Sequence, residues 1–267
     1  MAESGSKLLK QKKVLEVEDD ESDNEEKGDS SELGLALEKL SLGKKKKLLV
    51  LCLGGLLFHR VFRYVRHKIP KTRSPDTTYG SFYVYKRPFV EDFLKFCFER
   101  FEVGLWSSAR EWYVDNALDC LMSGLKPKLA FIWGHKKCTD TGFTTLENSK
   151  KPVYLKKLKN LWDNQTGDLP WPKGRHSAAD TLMIDDEPYK SLLNPPYTAV
   201  FLRSYHADDV GDRVLEPNGA LRNYLDGVVE AESVPEYVKE HPFGIPAITS
   251  DHADWYFYSN IIHKLEP

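Results

Sequence analysis

Residues Leu48–Leu57 constrain this chain most. Leu-Leu-Val-Leu-Cys-Leu runs without a charged side chain and stops at Gly54-Gly55. A strand with one wet face alternates apolar and polar residues, whereas an unbroken apolar run closed by glycine suits a strand covered on both faces, as in a parallel sheet. Four shorter runs follow, at Val103–Trp106, Leu129–Trp133, Leu182–Ile184 and Thr198–Leu202. Helical spacings lie between them. Pro88 suits the first position of a helix, with Phe89, Phe93, Phe96 and Cys97 on one face. Ser107 and Ser108 suit the cap of the next helix, with Val114, Ala117, Leu118 and Leu121 at its spacing. Further helical patterns cover Ala220–Val229 and Pro235–Glu240. Strands alternating with helices predict an α/β fold, a mostly parallel sheet flanked by helices. Residues 136–151 break the pattern with Thr, Gly and Asn and predict a loop or small hairpin insertion; 164–179, rich in Pro, Gly and Trp, predict an ordered surface loop.

A chain of 267 residues holds one large domain or two small ones. Its 41% hydrophobic and 12% aromatic content suffices for a sizeable core. The net charge of −2 excludes a uniformly basic nucleic-acid binder and a strongly acidic chaperone, so no direct nucleic-acid partner is expected. The apolar run at 48–57 has about half of the ~20 residues that a membrane helix needs, so no span is expected. The first residues, Met1-Ala2-Glu3-Ser4, lack the basic-then-apolar order of a secretory signal, and their acidity argues against a mitochondrial address.

Charge is unevenly spread. Residues 1–43 hold 12 acidic and 6 basic side chains, a net of −6, which leaves 44–267 at +4. Eight of the eleven residues from Glu16 to Glu26 are acidic. Such a block cannot bury a core, and 1–43 reads as a disordered acidic tail ahead of a domain spanning 44–267. Ser22, Ser30 and Ser31 suit an acid-directed kinase or simply belong to a solvated tail; Leu35, Leu37, Leu40 and Leu42 have the spacing of a short docking helix. Lys44–Lys47 fits a nuclear import signal, a phosphate-facing patch or a charged lead-in to the buried strand.

Ligands of an open parallel sheet bind at the carboxyl ends of its strands. Here those ends carry Cys52-Leu53-Gly54-Gly55, Ser107-Ser108, Trp133-Gly134 and Asp185-Asp186, with Lys156 shortly before the fourth strand. Taken singly, Ser107 is a helix cap, Lys156 part of a basic face with Lys150, Lys151, Lys157 and Lys159, and Asp185-Asp186 a strand-to-loop carboxylate pair. As an ordered set at one sheet edge they read as a phosphate site. Asp208, Asp209 and Asp212 read as a solvated acidic loop. The four cysteines form no Cys-x-x-Cys pair, which leaves a zinc site without support; Cys97 and Cys120 read as small core hydrophobes. No P-loop, nucleophile elbow or His-Glu-x-x-His motif occurs.

The stretches Lys86-Arg87-Pro88-Phe89-Val90, Leu105-Trp106-Ser107-Ser108-Ala109-Arg110 and Leu182-Met183-Ile184-Asp185-Asp186-Glu187-Pro188-Tyr189 resemble the haloacid-dehalogenase superfamily. Within it they resemble the FCP/SCP-type (NIF-like) phosphatases of the RNA polymerase II C-terminal domain, over about 44–230. Leu192-Leu193-Asn194-Pro195-Pro196 resembles the plant branch of that group. The resemblance implies a first motif Asp-x-Asp-x-(Thr or Val), whose first Asp attacks phosphorus and binds Mg²⁺ and whose second is general acid and base. Cys52 and Gly54 stand at those positions. The resemblance further implies phosphate contacts from Ser107 and Lys156, and Mg²⁺ ligation by Asp185 with Asp186 beside it; Arg87 is expected as a third contact to the anion.

Losing both carboxylates is severe. The aspartyl nucleophile splits one hard step into two, Mg²⁺ wants hard oxygen ligands that a thiol does not supply, and general acid catalysis alone is worth ~10²–10⁴-fold. A cysteine phosphatase needs an Arg where Phe58 stands, so Cys52 reads as a buried, inert thiol. Removing two negative charges makes the pocket more positive, which favours phosphate binding without turnover. The expected protein is a degenerate phosphatase, a pseudophosphatase that binds phosphorylated protein segments in the nucleus or cytoplasm, with Mg²⁺ bound weakly or not at all. Rival readings are an active Mg²⁺-dependent phosphoserine/threonine phosphatase, a non-catalytic interaction module, as in the mitochondrial import subunit of this fold, and a fold-only remnant with no retained ligand.

Overall fold

A computed structural model describes residues 45–122 and 124–266. The acidic tail and the leucine-spaced segment before Lys44 lie outside the described residues. In chain order the elements are β1 (Leu48–Leu51), β2 (Phe58–Phe62), β3 (Thr77–Tyr79), β4 (Phe82–Lys86), α1 (Val90–Arg100), β5 (Glu102–Trp106), α2 (Glu111–Leu121) and β6 (Phe131–Trp133). There follow β7 (Thr139–Thr145), β8 (Asn148–Leu155), α3 (Lys159–Asp163), β9 (Thr181–Asp185), β10 (Ala199–Phe201), α4 (Ala220–Glu230), α5 (Val234–Glu240) and α6 (Trp255–Leu265).

The central sheet has the order β10-β9-β1-β5-β6, with every neighbouring pair parallel. This is the α/β architecture expected from the alternating pattern. The unbroken apolar run puts β1 in the middle, where all four of its residues are buried. Side chains alternate across a strand, so Leu49 and Leu51 enter the larger core with Phe93, Leu94, Val114, Leu118 and Leu225 of the helices. Leu48 and Val50 face the other layer, with Trp106, Trp133, Leu161 and Trp171. Each such side chain contributes about 1.5–3 kcal/mol on burial.

Two small antiparallel units decorate this sheet. Strands β7 and β8 form the hairpin expected from the break at 136–151. The sheet β2-β4-β3 was not foreseen. Its strands are short and half exposed, so their patterning is weak. Helix α6 was also missed, although it buries Tyr258 and Ile261 beside Val153 and Leu155.

Two local readings are corrected. Ser107 and Ser108 do not cap α2, which starts after Arg110 without a side-chain cap; the Ser107 hydroxyl instead accepts a bond from Ala109 N (3.1 Å). Phe89 does not join the apolar face of α1. It precedes the helix at φ 64° and is 42% exposed. Lys45, Lys46 and Lys47 lead into β1 with their ammonium groups bonded to Asp180, to Phe98 O, and to Val229 O and Ala231 O. Among the described residues no helix is long and apolar enough to cross a membrane.

Candidate functional site

The carboxyl ends of β1, β5 and β9 come level because Leu51 pairs with Leu105 on one side and Ile184 on the other. Cys52 and Asp185 come next, Ser107 follows one residue later after Trp106, and all three emerge at one edge. Cys52 N donates to Ile184 O (3.0 Å), which continues the ladder by one step and holds the thiol beside the Asp185-Asp186 turn. Gly55 then turns the chain at φ 77°, a conformation that costs a side chain. A Cβ there would stand 2.0 Å from Oδ2 of Asp186. Gly54 differs: it is exposed, and a Cβ at 54 meets nothing within 4 Å.

The centre of the site is a cluster of two carboxylates and two ammonium groups. Lys156 Nζ donates to Oδ2 of Asp185 (2.5 Å) and to the backbone oxygen of Trp106. Lys190 Nζ donates to Oδ1 of Asp185 (2.6 Å) and to Oδ1 of Asp186 (3.0 Å). Backbone N–H groups of Asp186 and Glu187 also donate to Oδ1 of Asp185, at 2.8 and 3.2 Å. The Ser204 hydroxyl holds Oδ2 of Asp186 (3.1 Å). The two lysines are tied together through the chain, since Lys156 N donates to Lys190 O (2.8 Å).

Burial works against every charge here, and the pairing decides the outcome. Burial would raise the carboxyl of Asp185, but Lys156 and Lys190 overcome it and hold that group well below the usual carboxylate range. Asp186 moves up, because burial and the charge of Asp185 outweigh Lys190. Lys190 is raised well above the ordinary lysine value by the two carboxylates, despite its burial. The Cys52 thiol is pushed far up, first by burial and then by Asp185 and Asp186, against the pull of the lysines. It faces Gly54 O at 3.6 Å and Oδ1 of Asp186 at 3.9 Å and stays protonated at neutral pH.

Above this cluster opens a cavity of about 390 Å³. Cys52, Gly54, Ser107, Lys156 and Asp186 all line it. Sequence reasoning missed Lys190, Lys151, His59, Arg60 and Tyr113, which share its wall. The Arg60 guanidinium lies 4.1 Å from the Tyr113 ring centre. Arg60 and His59 come from β2, the strand that the pattern did not reveal. Lys190 follows Asp185 by five residues in a short turn at Pro188–Ser191, and its place after Asp-Asp-Glu-Pro-Tyr was its one sequence signal.

Arg87, expected at the anion, is placed elsewhere. It is absent from the cavity wall and 2% exposed, with its guanidinium on both oxygens of Asp212 (2.9 and 2.7 Å) and on Leu56 O (3.2 Å). Asp212 is thereby removed from the solvated acidic loop predicted for it; its side chain is 8% exposed. The pair fixes the loop that follows β1.

Cys52, Asp185 and Asp186 bring one donor atom each within 4.8 Å of the others, which is close enough for a metal ion. The donors nevertheless fit Mg²⁺ poorly. Mg²⁺ demands near-octahedral oxygen coordination. The thiol is soft and protonated, both oxygens of Asp185 already accept from lysines, and Lys190 bridges the two carboxylates.

Comparison with known proteins agrees with this construction. The chain is 29% identical over 191 residues to a probable C-terminal domain small phosphatase of Dictyostelium discoideum, covering 70% of this chain and 52% of that protein. It thus spans about half the length of that relative. It is 26% identical over 207 residues to an uncharacterised FCP1 homology domain-containing protein of Schizosaccharomyces pombe, covering 76% of this chain and 79% of that one. Among solved structures, fission yeast RNA polymerase II CTD phosphatase Fcp1 with the substitution R271A, bound to beryllium fluoride, shares 16% identity at a TM-score of 0.42, over 86% of this chain and 65% of its own. A second structure of Fcp1 gives 16% and 0.41, over 86% and 64%. The family model for NLI interacting factor-like phosphatase matches residues 47–235, from the lead-in to β1 through the start of α5. That span contains the whole parallel sheet and every residue of the cavity wall, and the chain belongs to this phosphatase family, built on the FCP1 homology domain.

Proposed function

We propose that the protein is a pseudophosphatase: its 44–267 domain holds a phosphorylated protein segment in the cavity and does not turn it over. The observation that carries this reading is the pair Cys52 and Gly54. One offers a buried, protonated thiol where the family motif has its nucleophile, and the other offers no side chain where it has its acid. With no carboxylate to attack phosphorus and none to protonate the leaving oxygen, the covalent route is closed.

Binding is a separate matter. Ser107 presents a hydroxyl at the cavity wall, and the Arg60 guanidinium lies at the same wall, stacked over the Phe82 and Tyr113 rings. Lys151 stands at the rim, 45% exposed and paired with Glu187. A phosphoryl dianion gains charge-assisted hydrogen bonds from such donors. The relative named as a probable C-terminal domain small phosphatase favours a phosphorylated protein segment as the ligand.

The test pairs two measurements on the purified chain. Fluorescence anisotropy with a phosphoserine peptide and its unphosphorylated twin should show preference for the phosphorylated form, weakened about 10-fold by Ser107→Ala or Arg60→Ala. Phosphate release from the same peptide with Mg²⁺ should stay at the blank. Turnover by the unaltered protein would return it to the active enzymes of the family, and equal affinity for both peptides would remove the phosphate ligand.

A further inference from the structure

We propose that Lys190 is the built-in counter-ion of this cavity. Its ammonium group holds the place between Asp185 and Asp186 where a divalent cation would bridge them, so the site neither takes nor needs a metal.

The geometry is that of a bridging cation. Nζ sits 2.6 Å from Oδ1 of Asp185 and 3.0 Å from Oδ1 of Asp186. The side chain is 8% exposed, and its backbone is fixed on both sides: Lys190 N donates to Glu187 O (3.1 Å) and Lys190 O accepts from Lys156 N (2.8 Å). The turn fixes where the side chain starts, and its two ion pairs hold the ammonium group between the carboxylates.

Charge counting explains why Cys52 belongs to the same arrangement. Asp185 and Asp186 supply two negative charges, and Lys156 and Lys190 supply two positive ones. The neutral thiol adds nothing, so the cluster balances as it stands. A divalent cation would leave two uncompensated positive charges in a region where Asp185 is 0% and Asp186 12% exposed. Uncompensated buried charge is costly. An Asp at 52 would tip the cluster to one net negative charge, but Lys190 would still hold the bridging place, so that carboxylate alone makes no metal site. The thiol at 52 and the ammonium at 190 are thus complementary halves of a metal-free site. Lys190 holds this place whichever anion enters the cavity.

The test is Mn²⁺ binding read by electron paramagnetic resonance, with Mn²⁺ as the probe and no catalytic readout. The unaltered protein and Cys52→Asp should leave the free Mn²⁺ signal unchanged. Cys52→Asp/Lys190→Met, which restores a carboxylate and removes the ammonium, should capture one Mn²⁺ per chain at least about 10-fold more tightly, with Asp186→Asn in that background abolishing the capture. One-to-one binding by the unaltered protein, lost in Asp186→Asn, would overturn the proposal; this arm needs no variant at position 190 and decides the matter if the double variant fails to fold. Equal affinity of Cys52→Asp with and without Lys190→Met would overturn it too, as would a folded double variant that captures no Mn²⁺.

Discussion

Lys156 Nζ stands 2.5 Å from Oδ2 of Asp185, and the two side chains are 1% and 0% exposed. They arrive from different units: Lys156 directly follows the hairpin strand β8, and Asp185 ends the central strand β9. The ion pair therefore pins the hairpin to the sheet at the floor of the cavity. Breaking a buried pair from one side leaves an uncompensated charge and costs about 3–5 kcal/mol. Lys190 still faces Asp185 in Lys156→Met, which puts the expected loss near the lower end, about 3 kcal/mol. Lys156→Met/Asp185→Leu should be less destabilised than the sum of the single changes, because neither partner is stranded against the other. Urea unfolding of the four proteins measures this, and strict additivity would mean that the pair is not coupled.

The thiol at 52 gives a second expectation. Cys52 is 2% exposed and pushed far up by burial, whereas Cys120 is half-buried beside Thr77. Thiolate fraction and access together set the rate of alkylation. In the folded protein iodoacetamide should label Cys120 before Cys52, and Cys52 should react at a comparable rate only after unfolding. Peptide mass spectrometry at timed quenches reads both positions. Labelling of Cys52 ahead of Cys120 would revive a cysteine nucleophile.

These two side chains also show where sequence stops being informative. β1 was legible because burial on both faces removes polar residues altogether, and Ser107, Lys156, Asp185 and Asp186 were legible because strand ends of a parallel sheet converge. Arg87 was misplaced for the opposite reason. Its partner Asp212 lies 125 residues away, and nothing near Arg87 distinguishes a guanidinium buried on a distant carboxylate from one facing a ligand. Lys190 was not singled out, because only the turn at Pro188–Ser191 aims it back at Asp185. Arg60 and His59 were hidden with β2, whose exposed face carries charge instead of a clean alternation.

Neighbouring glycines at 54 and 55 should respond in opposite ways. A Cβ at Gly54 meets no atom within 4 Å, so Gly54→Asp should change stability by no more than about 0.5 kcal/mol. A Cβ at Gly55 falls 2.0 Å from Oδ2 of Asp186 and 2.6 Å from Oγ of Ser204, at φ 77°. Gly55→Ala should therefore cost about 1–3 kcal/mol from backbone strain alone, with displacement of Asp186 added. Thermal melts rank the two. A Gly54→Asp loss as large as that of Gly55→Ala would show that position 54 is structurally tied to glycine.

His176 links stability to pH. Its ring is fully buried between Glu102, 2.9 Å from Nε2, and Asp180, 3.2 Å from Nδ1. Burial disfavours the charged ring, but hydrogen bonds to Asp180 and Glu102 outweigh it and raise the imidazole above its ordinary value. A group whose pKa rises on folding adds stability that is complete below its unfolded value, about 6.5, and is lost as pH climbs through the folded value. Asp180 does not blur that window, because it is held well below the usual carboxylate range and its contribution fades only in strong acid. His59 works in the opposite sense, pushed down by burial and by His206, so the comparison must be with a variant at 176. His176→Gln should lose more stability at about pH 6 than at about pH 8.5 relative to the unaltered protein, and its stability should fall less steeply across that interval. Urea unfolding at the two pH values gives the four numbers required. Equal losses at both would mean that His176 is neutral throughout and that the two carboxylates do not hold its proton.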